Sequence, residues 1–186
     1  MEAGRHALSG VVLDNSTATS ELWINGDPGS VLELLPAGSA EGGGRVQETG
    51  PDGGALLTIR EGAPPVHLRG LIIIGAVHVE GGLLELSDCT LLGLGDAAVD
   101  GRRLRLTSGH VSVFGSTLAN SSGGAIEVHG GSLVVVQSAL WHNTANFGGA
   151  VRVSGGHVEL NHCHLEGNRA TGQGGAMARS WPLSNP

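Results

Sequence analysis

GGAIEVHGGSLVVVQSALWHNTANFGGAVRVSGGHVELNHCHLEGNRATGQGGAM, residues 123–177, is one phrase given twice and begun a third time. The glycine pairs Gly123-Gly124, Gly148-Gly149 and Gly174-Gly175 return at intervals of 25 and 26 residues. Each is followed by alanine and an apolar residue, as Ala125-Ile126, Ala150-Val151 and Ala176-Met177. A period of that length marks a stacked architecture, in which each unit buries its apolar side only against its neighbours.

Working outward, the same phrase appears twice more upstream. Gly82–Leu91, Gly109–Leu118, Gly131–Leu140 and Gly156–Leu165 align without a gap. Four columns result: Leu84/Val111/Leu133/Val158, Leu86/Val113/Val135/Leu160, Cys89/Ser116/Ser138/Cys163 and Leu91/Leu118/Leu140/Leu165. Apolar and polar residues alternate within each phrase, the mark of a half-buried strand. The step from the second column to the third spans three residues instead of two, a break in parity that a bend between two strands leaves. The fold expected is all-β, a right-handed parallel β-helix with three short strands per coil of roughly 20 to 27 residues. About seven coils at a rise of ~4.8 Å each would span ~34 Å.

The pattern loosens toward the N-terminus. Leu22-Trp23-Ile24, Val31 to Leu35 and Ala55 to Ile59 read as strands, while Pro36 to Gly54 reads as a loop thrown out from the stack. The expected organisation is an irregular segment or cap over 1–20, the β-helix over 21–179, and a tail over 180–186. An uncapped last coil would present unpaired strand edges, so end-to-end self-association or continuation of the array is expected there.

Composition agrees. Glycine supplies 33 of 186 residues, aromatics only 3%, and tyrosine is absent. That mixture suits many tight turns around a core of Val, Ile, Leu and Ala, and it leaves few windows for a long helix. Leucine-rich repeats share the period but need a helix-like return, where this chain has Gly-Gly-Ala and another strand. The net charge is −7 and all ten basic residues are arginine. The one basic cluster, Arg102, Arg103 and Arg105, reads as a solvated loop or strand face, so no nucleic-acid partner is expected. No apolar run approaches the length of a membrane-spanning helix, and no signal-peptide core follows Met1. The expectation is either a cytosolic chain or a piece of a longer exported one, which would place it outside the cell or at its surface.

Particular residues are expected to hold the coils together. Leu118, Leu140 and Leu165 would pile into one interior file. Asn120, Asn143 and Asn168, two or three residues beyond those leucines, would form a ladder of amides at a bend. Gly124, Gly149 and Gly175 would supply positive φ and close coil-to-coil approach. If Asn120 points inward, its Asn-Ser-Ser acceptor sequence stays unmodified, whereas Asn15 is open to glycosylation in a secretory setting. Cys89 and Cys163 share a column three coils apart, ~14 Å, beyond the ~7 Å a disulfide tolerates, so two free buried thiols are expected. His162-Cys163-His164 alternates faces along a strand and cannot converge on one ion. No Gly-x-Gly-x-x-Gly or Gly-Lys-Ser/Thr phosphate cradle occurs. No cofactor, no metal and no catalytic constellation are expected.

The phrases Gly124-Ala125-Ile126, Gly149-Ala150-Val151 and Gly175-Ala176-Met177, with Leu140-Trp141-His142-Asn143 and Leu165-Glu166-Gly167-Asn168, carry a resemblance. They resemble the Gly-Gly-Ala-Ile and Phe-x-x-Asn repeats of chlamydial polymorphic outer membrane proteins, with leucine in place of phenylalanine. More broadly, the chain resembles the β-helix proteins of the pectin-lyase-like superfamily. The first resemblance implies a non-catalytic structural or adhesive module that presents a repetitive surface to a protein or glycan. The second implies the alternative, a polysaccharide lyase or glycoside hydrolase, which needs paired carboxylates or calcium-binding acids. Asp88, Asp96 and Asp100 carry no such paired motif and read as surface acids.

Overall fold

The computed structural model describes residues 5–8, 11–13, 21–26, 31–34, 55–93 and 103–179. The Pro36–Gly54 loop, Asn15, Asp96, Asp100, Arg102, the 180–186 tail and most of the 1–20 segment lie outside the described residues. Every described strand pair is parallel, and no helix occurs among the described residues.

The strands stack in three ladders. The first runs Arg5–Leu8, Val31–Leu34, Ile72–Ile74, Thr90–Leu92, Thr117–Ala119, Ala139–Trp141 and His164–Glu166. The second runs Val11–Leu13, Ala55–Ile59, the first halves of Ala76–Ser87 and Leu104–Phe114, then Ile126–Val128, Val151–Val153 and Met177–Arg179. The third runs Leu22–Asn25, Val66–Arg69, the second halves of those two long strands, then Ser132–Val136 and His157–Asn161. A short fourth pair, Thr144–Ala145 with Arg169–Ala170, joins the last two coils. The chain is therefore a parallel β-solenoid. Residues 55–179 wind about five turns, fewer than the expected seven, and the strands Arg5–Leu8 and Val31–Leu34 add two rungs to the first ladder.

The register follows the repeated phrase. Leu84, Val111, Leu133 and Val158 are successive ladder partners, as are Leu86, Val113, Val135 and Leu160. Ile73, Leu91, Leu118, Leu140 and Leu165 form one file in the first ladder. Leu91, Leu118 and Leu140 are wholly buried, whereas Leu165, in that ladder's last rung, is only partly covered. The interior is a continuous aliphatic column in which each coil packs on the ones before and after it.

The parity break has a backbone cause. Gly70, Asp88, Gly115, Gln137 and His162 all have positive φ, between 49° and 67°. These residues stand one above another at the corner between the third and first ladders, where Asp88, Gly115 and Gln137 donate backbone hydrogen bonds to the coil that follows. One left-handed residue turns the chain and swaps the side-chain alternation. Asp88, Gln137 and His162 hold that conformation despite the steric cost to a residue with a Cβ.

Candidate functional site

The corner after the first ladder holds the amide ladder. Asn143 is wholly buried. Its Oδ1 accepts from the Ser121 backbone N–H at 3.1 Å, and its Nδ2 donates to the Leu118 carbonyl at 3.0 Å and to Asn168 Oδ1 at 3.0 Å. Asn168 repeats the pattern one coil on, accepting from the Asn143 N–H at 3.1 Å and donating to the Leu140 carbonyl at 2.7 Å. Asn120 does not join them, which corrects the sequence expectation. The slot in its coil is filled by Ser121, and Asn120 stands one residue earlier, exposed, with φ of 58°. His142 and Gly167 occupy the same left-handed position in later coils, with φ of 52° and 64°. The sequence held the signal: Asn143 and Asn168 lie three residues after their leucines and Asn120 only two.

The three repeat glycines serve unlike purposes. Gly124 has φ of +94° and faces Ala145 Cβ. Gly149 has no positive φ, but a Cβ there would meet the Arg169 backbone at 2.6 Å. Gly175 has φ of +46° with open space around it, so close approach does not explain it.

The third column, Cys89/Ser116/Ser138/Cys163, carries polar contacts of its own. Cys89 and Ser116 are buried at equivalent corners, and the Cys89 N–H donates to Ser116 Oγ at 3.0 Å while the Ser116 N–H donates to Ser138 Oγ at 3.1 Å. Each hydroxyl or thiol donates to the carbonyl two residues before it. Cys89 and Cys163 are both free thiols. Burial pushes the Cys89 thiol up, with the nearby Asp88 charge adding to that and backbone N–H groups of Leu71, Ser87 and Gly70 opposing it. Cys163, in the last rung of its column, is only half-buried, which corrects the expectation of two buried thiols. His162 sits in the left-handed corner instead of an extended strand, and His164 faces outward 2.9 Å from Glu166. Among the described residues, no group of three or more His, Cys, Asp and Glu is placed to share an ion.

The outer face of the second ladder holds a charged row that the sequence reading passed over. His78, Arg105, Glu127, Arg152 and Ala178 are ladder partners in successive coils. Glu127 is 1% exposed. Its carboxylate lies 3.1 Å from Arg152 Nη1, 3.1 Å from His129 Nε2 and 3.9 Å from Arg105 Nε. A buried carboxylate is tolerated only when its charge is matched, and here a cation stands on each side along the stack. Arg105 is thus a half-buried member of an ion-pair row, not the solvated residue expected. The sequence carried a trace of this: Glu127 and Arg152 sit at the same place in consecutive phrases, opposite in sign.

Two features adjoin the row. His129 Nδ1 lies 2.7 Å from Ser154 Oγ, giving a hydroxyl, imidazole and carboxylate in line. Ser154 Oγ also donates to the Val128 carbonyl at 3.3 Å. On the other side, the Arg152 guanidinium stands 5.4 Å from the centre of the Phe147 ring. These two residues form the wall shared by two hollows, one of about 290 Å³ reaching Gly123, Ala145 and Asn146, the other of about 150 Å³ reaching Gln173, Ala178 and Arg179.

The placement of aromatic side chains completes the picture. The four described Phe and Trp residues, Trp23, Phe114, Trp141 and Phe147, are all exposed, at 56%, 47%, 42% and 38%. Trp23 stacks on His67 with ring centres 4.0 Å apart and planes within 8°. Trp141 meets His164 edge-on at 6.0 Å.

Fold and ladders together define the class, a parallel β-solenoid built from an imperfect repeat. No family model, no curated protein and no solved structure matches the chain significantly.

Proposed function

We propose that the chain is a non-catalytic structural or adhesion-type module, whose stacked outer faces make contact with a protein or glycan. The observation that carries this reading is the inversion of aromatic placement. Phe and Trp ordinarily contribute to cores, and they are enriched in interface anchors when they stand outside. Here the core is aliphatic and all four described Phe and Trp residues stand at the surface. They project from a backbone locked coil to coil by hydrogen bonds, so little ordering entropy is lost on contact.

The alternative, a polysaccharide lyase or glycoside hydrolase, finds less support in the carboxylates. Glu127 is held between cations, and Asp88 lies at a left-handed corner 3.5 Å from Arg69. Each is engaged by a cation, whereas hydrolysis uses two carboxylates flanking the scissile bond. End-on association belongs to the same proposal. Val158, Leu160 and Leu165 are partly exposed where the same columns are fully buried in earlier coils, so a further rung would cover them.

The test is binding of the purified chain to arrayed glycans and to surfaces coated with extracellular proteins, compared with a Trp23→Ala/Trp141→Ala variant. The expected result is saturable binding that the double variant weakens by tenfold or more, about 1.4 kcal/mol. Binding indifferent to both tryptophans, or turnover of a polysaccharide, would refute the reading. Light scattering across a concentration series tests the end-on contact, which predicts a mass that rises with concentration.

A further inference from the structure

We infer that the paired hollows on either side of Phe147 and Arg152 form a binding site for a linear saccharide carrying carboxylate or sulfate groups. This rests on the reading of the chain as a binding module and names the ligand for one part of its surface.

Three observations converge. First, the wall is built, not incidental. The segment carrying Phe147 is stitched to the next coil by four backbone hydrogen bonds, Thr171 N–H to Ala145 O, Gly172 N–H to Asn146 O, Gly148 N–H to Gln173 O and Gly149 N–H to Gly175 O. Gly172 lies directly beneath: a Cβ there would come within 2.8 Å of Asn146 Oδ1 and 3.4 Å of the Phe147 ring. The backbone that carries the ring is thereby fixed before any ligand arrives, which lowers the ordering cost of binding.

Second, the lining chemistry selects a sugar. One aromatic ring offers a face for the C–H side of a pyranose, and the Asn146 and Gln173 amides offer donors and acceptors to hydroxyls. Asn146 Oδ1 is within 3.4 Å of Thr171 Oγ1, and the amide's NH₂ group has donors to offer a ligand hydroxyl. Apart from Arg152 and Arg179 the remaining lining residues are Gly and Ala, with no aliphatic bulk against which a purely apolar ligand could bury itself.

Third, the charge selects an anion. The outer row places Arg105 and Arg152 on either side of the single carboxylate of Glu127. Arg152 uses Nη1 toward Glu127 and turns its guanidinium over Phe147 at the edge of both hollows. Arg179 borders the second hollow as well. Two guanidinium groups, those of Arg152 and Arg179, therefore line this wall, although the chain as a whole carries a net −7. The spacing also fits. The two hollows follow one another along the stack, where each coil rises ~4.8 Å, close to the length of one sugar unit in an extended chain. Consecutive units would lie on opposite sides of the Phe147–Arg152 wall, with the acidic group of one reaching the guanidinium.

The experiment is calorimetric titration of the full chain with three probes: a hyaluronan tetrasaccharide, which bears carboxylates only; a heparin tetrasaccharide, which bears both groups; and neutral cellotetraose. The expected result is binding of at least one acidic probe about tenfold or more tighter than cellotetraose, weakening as salt is raised. Binding of both acidic probes points to the shared negative charge, and binding of heparin alone assigns the site to sulfate. Phe147→Ala, which leaves the Glu127–Arg152 ion pair intact, and Arg152→Gln should each weaken binding at least fivefold. Arg69→Gln, which removes an exposed arginine on a different ladder, should leave it unchanged. Equal affinity for cellotetraose, or acidic binding untouched by Phe147→Ala, would overturn the inference. If no acidic saccharide binds while tryptophan-dependent surface binding persists, this site fails and the module reading stands; if both are absent, both fail.

Discussion

Replacing Asn143 with alanine should cost more stability than any other single exchange in the corners of the stack. The side chain makes three hydrogen bonds, accepting from the Ser121 N–H and donating to the Leu118 carbonyl and to Asn168 Oδ1. Ser121 and Leu118 are 1% and 0% exposed, so the Ser121 N–H loses its acceptor in a place water reaches poorly, while the Leu118 carbonyl is left with its ladder partner alone. Each orphaned buried group costs about 1–3 kcal/mol, while Asn168 Oδ1 keeps the Asn143 N–H as a donor. With about 0.5–1.5 kcal/mol more for the bond the Leu118 carbonyl loses, the expected loss is about 2–4 kcal/mol, a large share of the 5–15 kcal/mol that typically separates folded from unfolded chains. Asn120→Gly is the matched control. Asn120 is exposed in a left-handed turn, so glycine there should change stability by no more than ~0.5 kcal/mol. Equilibrium urea unfolding, followed by circular dichroism and compared at equal slope, separates the two. A cost below about 1 kcal/mol for Asn143→Ala, or a cost for Asn120→Gly as large as that for Asn143→Ala, would refute the ladder as a source of stability.

Three other outcomes are expected. Glu127→Gln removes the one anion between Arg105 and Arg152 and should lower stability by about 1–3 kcal/mol at low salt, less so as salt screens the two arginines, as read from urea midpoints. Cys89, buried with its thiol pushed up, should resist alkylation in the native chain, while half-buried Cys163 reacts first, as peptide mapping by mass spectrometry will reveal. The same shift gives a sign for pH: the thiol stays protonated longer in the folded chain, so stability is full below the ordinary thiol range and falls as pH rises through it. Gly149→Ala should destabilise by about 1–3 kcal/mol, as an overpacked site does, because the new methyl meets the Arg169 backbone, whereas Gly175→Ala meets nothing and incurs only the strain of its φ. Thermal melts compare the pair directly.

How much of this was legible in the sequence can be argued residue by residue. The columns through Leu84, Leu86 and Leu91 were readable because a strand alternates its faces and a repeat copies that alternation at fixed intervals. The corner between Leu86 and Cys89 was readable as a break in parity, but not as a left-handed residue, because Asp88, Gln137 and His162 are not glycine. Asn120 was misplaced because a one-residue offset at a corner reverses inside and outside, and three asparagines near three leucines looked equivalent. The charged row through Glu127 escaped because attention to apolar columns ignores outward positions, where neighbours along the chain say nothing about neighbours along the stack.

Taken alone, the amino-acid order determined the period, the strand-rich class and the aliphatic interior, since each depends on local alternation and on repetition that any copy of the phrase must obey. The tertiary structure decided which side chains 22 to 27 residues apart touch, and so placed Glu127 between two arginines, Ser121 in an asparagine's slot and Phe147 over a braced hollow. The reason is geometric. Coils of unequal length keep the register only where hydrogen bonds between successive turns lock it, and that locking is a property of the wound chain, absent from any single stretch of it.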